Sequence, residues 1–435
     1  MSATAGPAST GQSAVSEAPG RTGAPGRTDR RPPAALYVHV PFCVSVCPYC
    51  DFVVVAGAES RGPRNRIAAF LAAVRTEIDL RADADDTRFG PPGSSGRPAL
   101  GSLYIGGGTP SLLATDDLAR LIELVRQRFG LLEDAEVTLE ANPGRDERGD
   151  PAAQRRAGIT RLSIGAQSLD DNELARLGRR HRATDVGDAV AASRRAGIGS
   201  VSLDLLYDAP GQAIGDWMST LESALDLSPD HLSLYALTLD DPDGEGLTGP
   251  DGDHLPTSAG ARRWRDRVRP TQDEDRAAAM YHHAVVRLRE DGWHGYEISN
   301  WARPGHESRH NLAYWERQPY EAVGPGAHAF DGAIRRWNAA HLGRYIAALA
   351  PEAGEPALPP GGSEALDPAT AASEEVILGL RTDGGVAAAA AASEPFAGPL
   401  RWALAAELVS HDADDRLRLT TRGRLLSNEL FARLV

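Results

Sequence analysis

Apolar positions along the chain change rhythm several times. Residues 1–33 carry Ala, Gly, Ser, Thr, Pro and Arg with almost no large apolar side chain. Such a stretch cannot bury enough surface to offset the entropy of ordering, so a disordered tail is expected. From Ala34 onward, short β-rich runs alternate with segments of helical spacing. The runs are ALYVHV (35–40), SLYIGG (102–107), EVTLEAN (136–142), RLSIGAQS (161–168), SVSLDLLY (200–207) and HLSLYALTL (231–239). Between them lie patterns such as DDLARLIELVRQRFG, with an aspartate-rich first turn and Gly130 as a stop signal. Six repeats of strand then helix predict an α/β fold whose parallel sheet curls into a partial (β/α)6 barrel.

Two Gly-, Pro- and Asp-rich stretches, 82–101 and 240–260, interrupt the repeat and read as surface loop insertions. The barrel and its extension are expected over 34–345. A linker over 346–368 then includes the Pro/Gly/Glu-rich segment APEAGEPALPPGGSEALDP. Over 369–435 a small helical domain with a β-hairpin is expected, resembling a winged helix. The tail's shortage of acids is weak grounds for a transit peptide, because it has neither an amphipathic apolar face nor an h-region.

The 435 residues carry 46 basic and 60 acidic side chains, a net charge of −14. That charge is spread along the chain, and no basic stripe of the kind a nucleic-acid binder needs is found. All 46 basic residues are arginine. Without lysine, a P-loop and a Schiff-base enzyme are both excluded. No apolar run approaches the ~18–20 residues that span a bilayer, so no integral membrane segment is expected. Three cysteines within eight positions cannot form a disulfide framework, and they imply a reducing, cytoplasmic setting.

These are Cys43, Cys47 and Cys50, spaced Cys-x3-Cys-x2-Cys after the first strand. A cubane cluster ordinarily takes four thiolates, so three on one loop leave one iron open to an outside ligand. A zinc site with His39 as fourth ligand is the competing reading, made awkward by the place of His39 on a strand. GGGTP (106–110) joins the second strand to a helix and lets the backbone approach a ligand closely. Glu140, Gln167 and Asp204 stand at or near the ends of later strands, where barrel folds place functional groups.

The cysteine spacing followed by GGGTP resembles the radical SAM superfamily. That resemblance implies a [4Fe-4S] cluster on Cys43, Cys47 and Cys50, with S-adenosylmethionine (SAM) chelating the open iron. It implies SAM contacts from Tyr37, Tyr49, Gly107, Gly108, Thr109, Glu140, Gln167, Arg179 in LGRRH (177–181), and Asp204.

Within the superfamily, the strand order, GGGTP, LGRRH and the trailing domain resemble the oxygen-independent coproporphyrinogen III oxidases and the heme chaperones related to them. The oxidases have a further cysteine two positions after the third, where this chain has Phe52. His310, Asn311, Tyr314 and Trp315 reproduce the His-Asn-x-x-Tyr-Trp motif that the resemblance associates with heme binding. Histidine is a natural axial ligand and aromatic rings suit a flat macrocycle. His306 and His328 are substitutes for His310 as iron ligand, and packing of His310 in a core is the alternative. The resemblance implies a cytoplasmic heme chaperone that passes heme to an acceptor hemoprotein, a respiratory one among the candidates, with a homodimer as a further expectation. An enzyme that oxidatively decarboxylates coproporphyrinogen III is the rival reading. A zinc-stabilised barrel serving only protein interaction is the third.

Overall fold

The computed structural model describes residues 30–60, 65–239, 242–350 and 354–435, so the expected tail over residues 1–29 lies outside it. All six expected strands are present: β1 (Ala35–Val40), β2 (Leu100–Gly107), β3 (Leu131–Ala141), β4 (Arg161–Gln167), β5 (Ser200–Tyr207) and β6 (His231–Ala236). They pair in parallel and in sequence order, the arrangement of a partial (β/α)6 barrel.

Helices α1 (Ile67–Phe89) and α2 (Thr115–Phe129) cover the outer face. In α2, Leu118, Leu121, Ile122, Val125 and Phe129 form one buried stripe. Asp116 and Asp117 lie in its first turn, where a carboxylate favours the positive end of the helix, and Gly130 ends it at φ +75°. Leu103, Ile105, Leu139, Leu162 and Leu203 belong to the main core beneath these helices.

Three expectations are revised by tertiary contacts. Residues 82–89, read as part of a loop, continue α1, because Ala82 is fully buried and Asp86 pairs with buried Arg97 at 2.5 Å. The sheet also extends past the barrel: β7 (Asn300–Ala302) joins β6 antiparallel, and β8 (Tyr320–Val323) joins β1 in parallel. Beyond β8 follow β9 (His328–Phe330), β10 (Ile334–Asn338) and β11 (Gly361–Ala365) in antiparallel pairing. Within the stretch read as a linker, Gly361–Ala365 is therefore a paired strand.

From Pro368 to Phe431 a second core forms around Leu380, Leu400, Leu417 and Leu430. Its order is helix, strand, two helical segments, two strands and two short helices (Thr421–Leu425 and Ser427–Phe431), with the strands at Val386–Ala387, Val409–His411 and Arg416–Leu419 in one sheet. Helices and a β-hairpin are both present, and a third strand, Val386–Ala387, pairs with the hairpin.

Candidate functional site

Strand β1 ends at Val40, and Phe42–Cys43 begins the loop that carries all three thiols. Beside it, the backbone of the glycine turn docks in register: Gly108 N donates to Val40 O at 2.8 Å and Thr109 N to Phe42 O at 2.7 Å. Only glycine fits there. A Cβ on Gly108 would stand 2.7 Å from Phe42 O and 3.0 Å from Cys43 Sγ, and one on Gly107 (φ +112°) would stand 2.6 Å from the His39 ring. The turn thus brings peptide groups against the thiol loop.

Polar groups converge on this corner from the ends of β2 and β3 and from the segment after the helix Asp171–Arg176. Thr109 Oγ1 donates to Cys43 Sγ at 3.5 Å, and Arg179 Nη1 to Cys47 Sγ at 3.5 Å. Asn142, just beyond β3, joins the two. Its Nδ2 donates to Thr109 Oγ1 (3.0 Å) and Glu147 Oε2 (2.8 Å), while its Oδ1 accepts from Arg179 Nη2 (2.5 Å). Arg179 also donates to Gly165 O at 2.9 Å. A cleft lined by Ser45, Cys47, Asn142, Glu147, Arg179 and His181 opens here. Burial pushes the thiols of Cys43 and Cys50 up, Cys43 to about 11. Bare thiolates are costly at this position and need a cation to hold them.

Glu140 accepts from Gly107 N (2.8 Å) and Tyr104 Oη (2.8 Å), so its carboxyl shapes the turn from within the barrel. Burial raises it to about 7 against those two bonds. Gln167 takes a left-handed backbone (φ 65°) where the β4–β5 register shifts, next to Arg179 and Asn142 across Gly165. Asp204, deeper in the barrel, accepts from Ser163 Oγ at 3.1 Å, and burial raises its carboxyl too. Tyr49 packs against Trp264, and its hydroxyl is buried without a hydrogen-bond partner among the described residues. Tyr37 bonds His39 Nδ1 through its hydroxyl at 2.9 Å.

His39 is thereby taken out of contention as a zinc ligand, since its Nε2 donates to Val53 O at 2.8 Å. Among the described residues, no three His, Cys, Asp or Glu side chains converge on a single metal ion as mononuclear zinc requires. A cubane makes no such demand, because each thiolate binds its own iron. The unpartnered Tyr49 hydroxyl, the peptide groups of the glycine turn and the donors to sulfur fit a cluster with a polar ligand beside it.

The His-Asn-x-x-Tyr-Trp motif lies elsewhere. It forms α3 (Arg309–Trp315), whose first turn enters the opposite end of the barrel, where Glu136 of β3 accepts from the backbone of Arg309 (3.2 Å) and His310 (3.1 Å). His310 is 1% exposed. Its Nδ1 bonds Ser102 Oγ at 2.9 Å and its Nε2 bonds Tyr314 Oη at 2.7 Å. Burial lowers it to about 3, so the ring is neutral. Trp315 lies under the Arg381 guanidinium at 4.2 Å, and Asn311 N is held by the Ser308 cap. The expected heme-binding residues His310, Asn311, Tyr314 and Trp315 thus stand together on one short helix, with both ring nitrogens of His310 hydrogen-bonded internally. Tyr104, Tyr37 and His310 make an aromatic column, with Tyr104 and His310 5.1 Å apart, running from this plug toward Glu140. His306 lies before α3 and its carbonyl accepts from Arg161.

Sequence reasoning missed Asn142, Glu147 and Arg265. Asn142 had a usable signal, a polar residue two positions after Glu140 at the same strand end. Arg265 had none: it holds the cysteine loop by donating to Pro48 O (3.1 Å) and Cys50 O (3.0 Å) from more than 200 residues away.

A family model for the radical SAM superfamily matches residues 37–224, and one for the HemN C-terminal domain matches 366–426. The chain is 37% identical over 424 residues to a protein named heme chaperone HemW of Mycobacterium tuberculosis, covering 96% of this chain and 98% of that one. It is 30% identical over 406 residues to heme chaperone HemW of Bacillus subtilis, covering 91% and 98%. Among solved structures, coproporphyrinogen III oxidase (HemN) of Escherichia coli shares the fold with a TM-score of 0.73 at 23% identity, covering 93% of this chain and 90% of that one.

Proposed function

Because the chain belongs to the HemW family of the radical SAM superfamily, we propose that it is a heme chaperone, binding heme and handing it to an acceptor hemoprotein in the cytoplasm. The observation that carries this reading is the thiol loop itself. Its three cysteines are all the chain has, they stand under the donors Thr109 and Arg179, and an exposed Phe52 occupies the position of the oxidases' further cysteine. The relatives that match nearly end to end carry the chaperone name.

In this reading Cys43, Cys47 and Cys50 hold a [4Fe-4S] cluster, which when bound supplies an open iron for the amino and carboxylate groups of SAM. The chain's own residues do the positioning. Arg265 fixes the loop backbone, Thr109 and Arg179 donate to sulfur, and Asn142 locks those two donors to one another. Gly107 and Gly108 keep the turn free of side chains, and Glu140 with Tyr104 stiffens it from below. Tyr49, Gln167, Arg179 and Asp204 are left to contact SAM along the mouth and upper interior. Tyr37, whose hydroxyl bonds the His39 ring that lies against Gly107, joins them as a proposed SAM contact. No helix among the described residues is long and apolar enough to cross a membrane.

Titration of anaerobically reconstituted full chain with hemin, followed through the Soret band, tests the reading. Saturable binding of one equivalent is expected. Absence of saturable binding, together with SAM- and reductant-dependent release of CO2 from coproporphyrinogen III, would replace the chaperone by the oxidase.

A further inference from the structure

The C-terminal domain meets the barrel beside α3, and one histidine bridges the two. His294, in the short strand His294–Gly295 that pairs with β7, has Nδ1 3.2 Å from Glu307 Oε1 and Nε2 2.5 Å from Asp383 Oδ2. Glu307 stands just before the Ser308 cap of α3, and Asp383 just past the first helix of the C-terminal domain, Pro368–Arg381. An ionised carboxylate accepts hydrogen bonds and donates none, so both contacts are made together only when both ring nitrogens carry a proton. The geometry is that of an imidazolium between two carboxylates. Burial opposes the charge, but the bonds to Asp383 and Glu307 outweigh it and raise the ring above the ordinary histidine value.

The other charges around the ring have partners of their own. Arg424 donates to Gly295 O (3.0 Å) and Glu297 O (3.1 Å), and Arg381 pairs with Glu297 at 3.0 Å. Ala302 lies opposite His294 across the strands, and next to it Arg303 pairs with Asp291 at 2.7 Å. The same contact surface reaches α3. Arg381 lies over the Trp315 ring at 4.2 Å, and the Trp315 Nε1 is buried with no hydrogen-bond partner among the described residues. Arg317, two positions past the helix, donates to Glu374 Oε2 at 3.1 Å. The C-terminal domain thus sits on the last turn of the helix that carries His310 and Trp315. The His294 ring is 46% exposed, so solvent protons reach it.

We propose that the C-terminal domain is a clamp on α3, pinned by the imidazolium of His294 between Glu307 and Asp383, and that loss of one ring proton loosens the clamp and opens the helix to heme. The clamp rests on the contacts above, and heme as what it admits rests on the heme-chaperone reading. The pin holds at pH below ~6.5, the ordinary histidine value, and is lost as pH rises through the raised value of the folded chain. A neutral ring keeps one donor and turns a lone pair toward the second carboxylate.

The test is amide hydrogen exchange of the full chain at pH about 6 and about 9, read as protection factors corrected for the intrinsic pH dependence of exchange. In wild type, protection of residues 309–317 is expected to fall about fivefold or more between the two, the order of one charge-assisted hydrogen bond at a half-exposed site, while β1 and β2 keep theirs. His294→Ala should show the low protection at both pH values, and His294→Lys, charged at both, the high one. His411→Ala, elsewhere in the C-terminal domain, should match wild type. Protection that is equal at the two pH values in wild type and unmoved in His294→Ala overturns the clamp. Stopped-flow hemin uptake at pH about 6 is expected to be about fivefold or more faster in His294→Ala than in wild type. An unchanged rate where protection does respond overturns the role given to the clamp in heme entry. If wild type binds no hemin saturably, the chaperone reading falls, and the exchange result still decides the clamp.

Discussion

Asn142→Ala removes the residue that ties the glycine turn, the Arg179 guanidinium and Glu147 together. Of its three hydrogen bonds, the one to Thr109 joins neutral groups, and those with Arg179 and Glu147 involve charged ones. A neutral hydrogen bond contributes ~1 kcal/mol net and one to a charged group ~1.5–3 kcal/mol. Arg179 retains Gly165 O and Cys47 Sγ, and Glu147 retains Arg180 at 3.8 Å, so neither charge is stranded. The loss should therefore fall near the low end of the range, about 4 kcal/mol. With a urea slope of about 3 kcal/mol/M for a chain of this size, the unfolding midpoint should drop by about 1 M. The assay is urea unfolding of the metal-free chain by circular dichroism, repeated with Asn142→Asp. A midpoint shifted by less than about 0.2 M at unchanged slope would refute the claim that Asn142 is the hub of this corner.

Other perturbations follow from the same contacts. Gly107→Ala combines a left-handed φ with a clash on the His39 ring and should cost ~1–3 kcal/mol or more, seen as a lowered thermal midpoint. Arg265→Met should leave far-UV dichroism unchanged but lower the iron retained per chain after reconstitution, because Pro48 O and Cys50 O lose their donor. His310 is lowered to about 3 and His39 to about 4, so the unfolded state takes up protons first; stability should fall as pH drops below about 6.5, and His310→Gln should flatten that limb in urea titrations. Glu140 runs the other way. Its carboxyl is raised to about 7, so it costs stability as pH rises from about 4.5 through 7, and Glu140→Gln should remove that slope.

The barrel strands were legible because each depends on a local run of apolar and β-branched residues: ALYVHV and SVSLDLLY coincide with β1 and β5. The thiol loop and the glycine turn were legible for the same reason, since their chemistry lies in short spacings. Contacts between distant segments were not. Burial of His310 depends on Ser102, 208 positions away, and nothing near residue 310 encodes it. The strand at Gly361–Ala365 looked like a linker because its partner, Ile334–Asn338, supplies the pairing that its small, polar residues do not advertise.

The central claim is that this chain hands on heme rather than altering a porphyrin. The direct measurement is heme transfer: reconstituted, heme-loaded chain is mixed with an apo-hemoprotein, and the absorbance of the filled acceptor is followed against free hemin at the same concentration. The account predicts that the acceptor fills from the loaded chain. Stable retention of heme by the loaded chain, with CO2 released when the same preparation is given coproporphyrinogen III, SAM and a reductant, would contradict it.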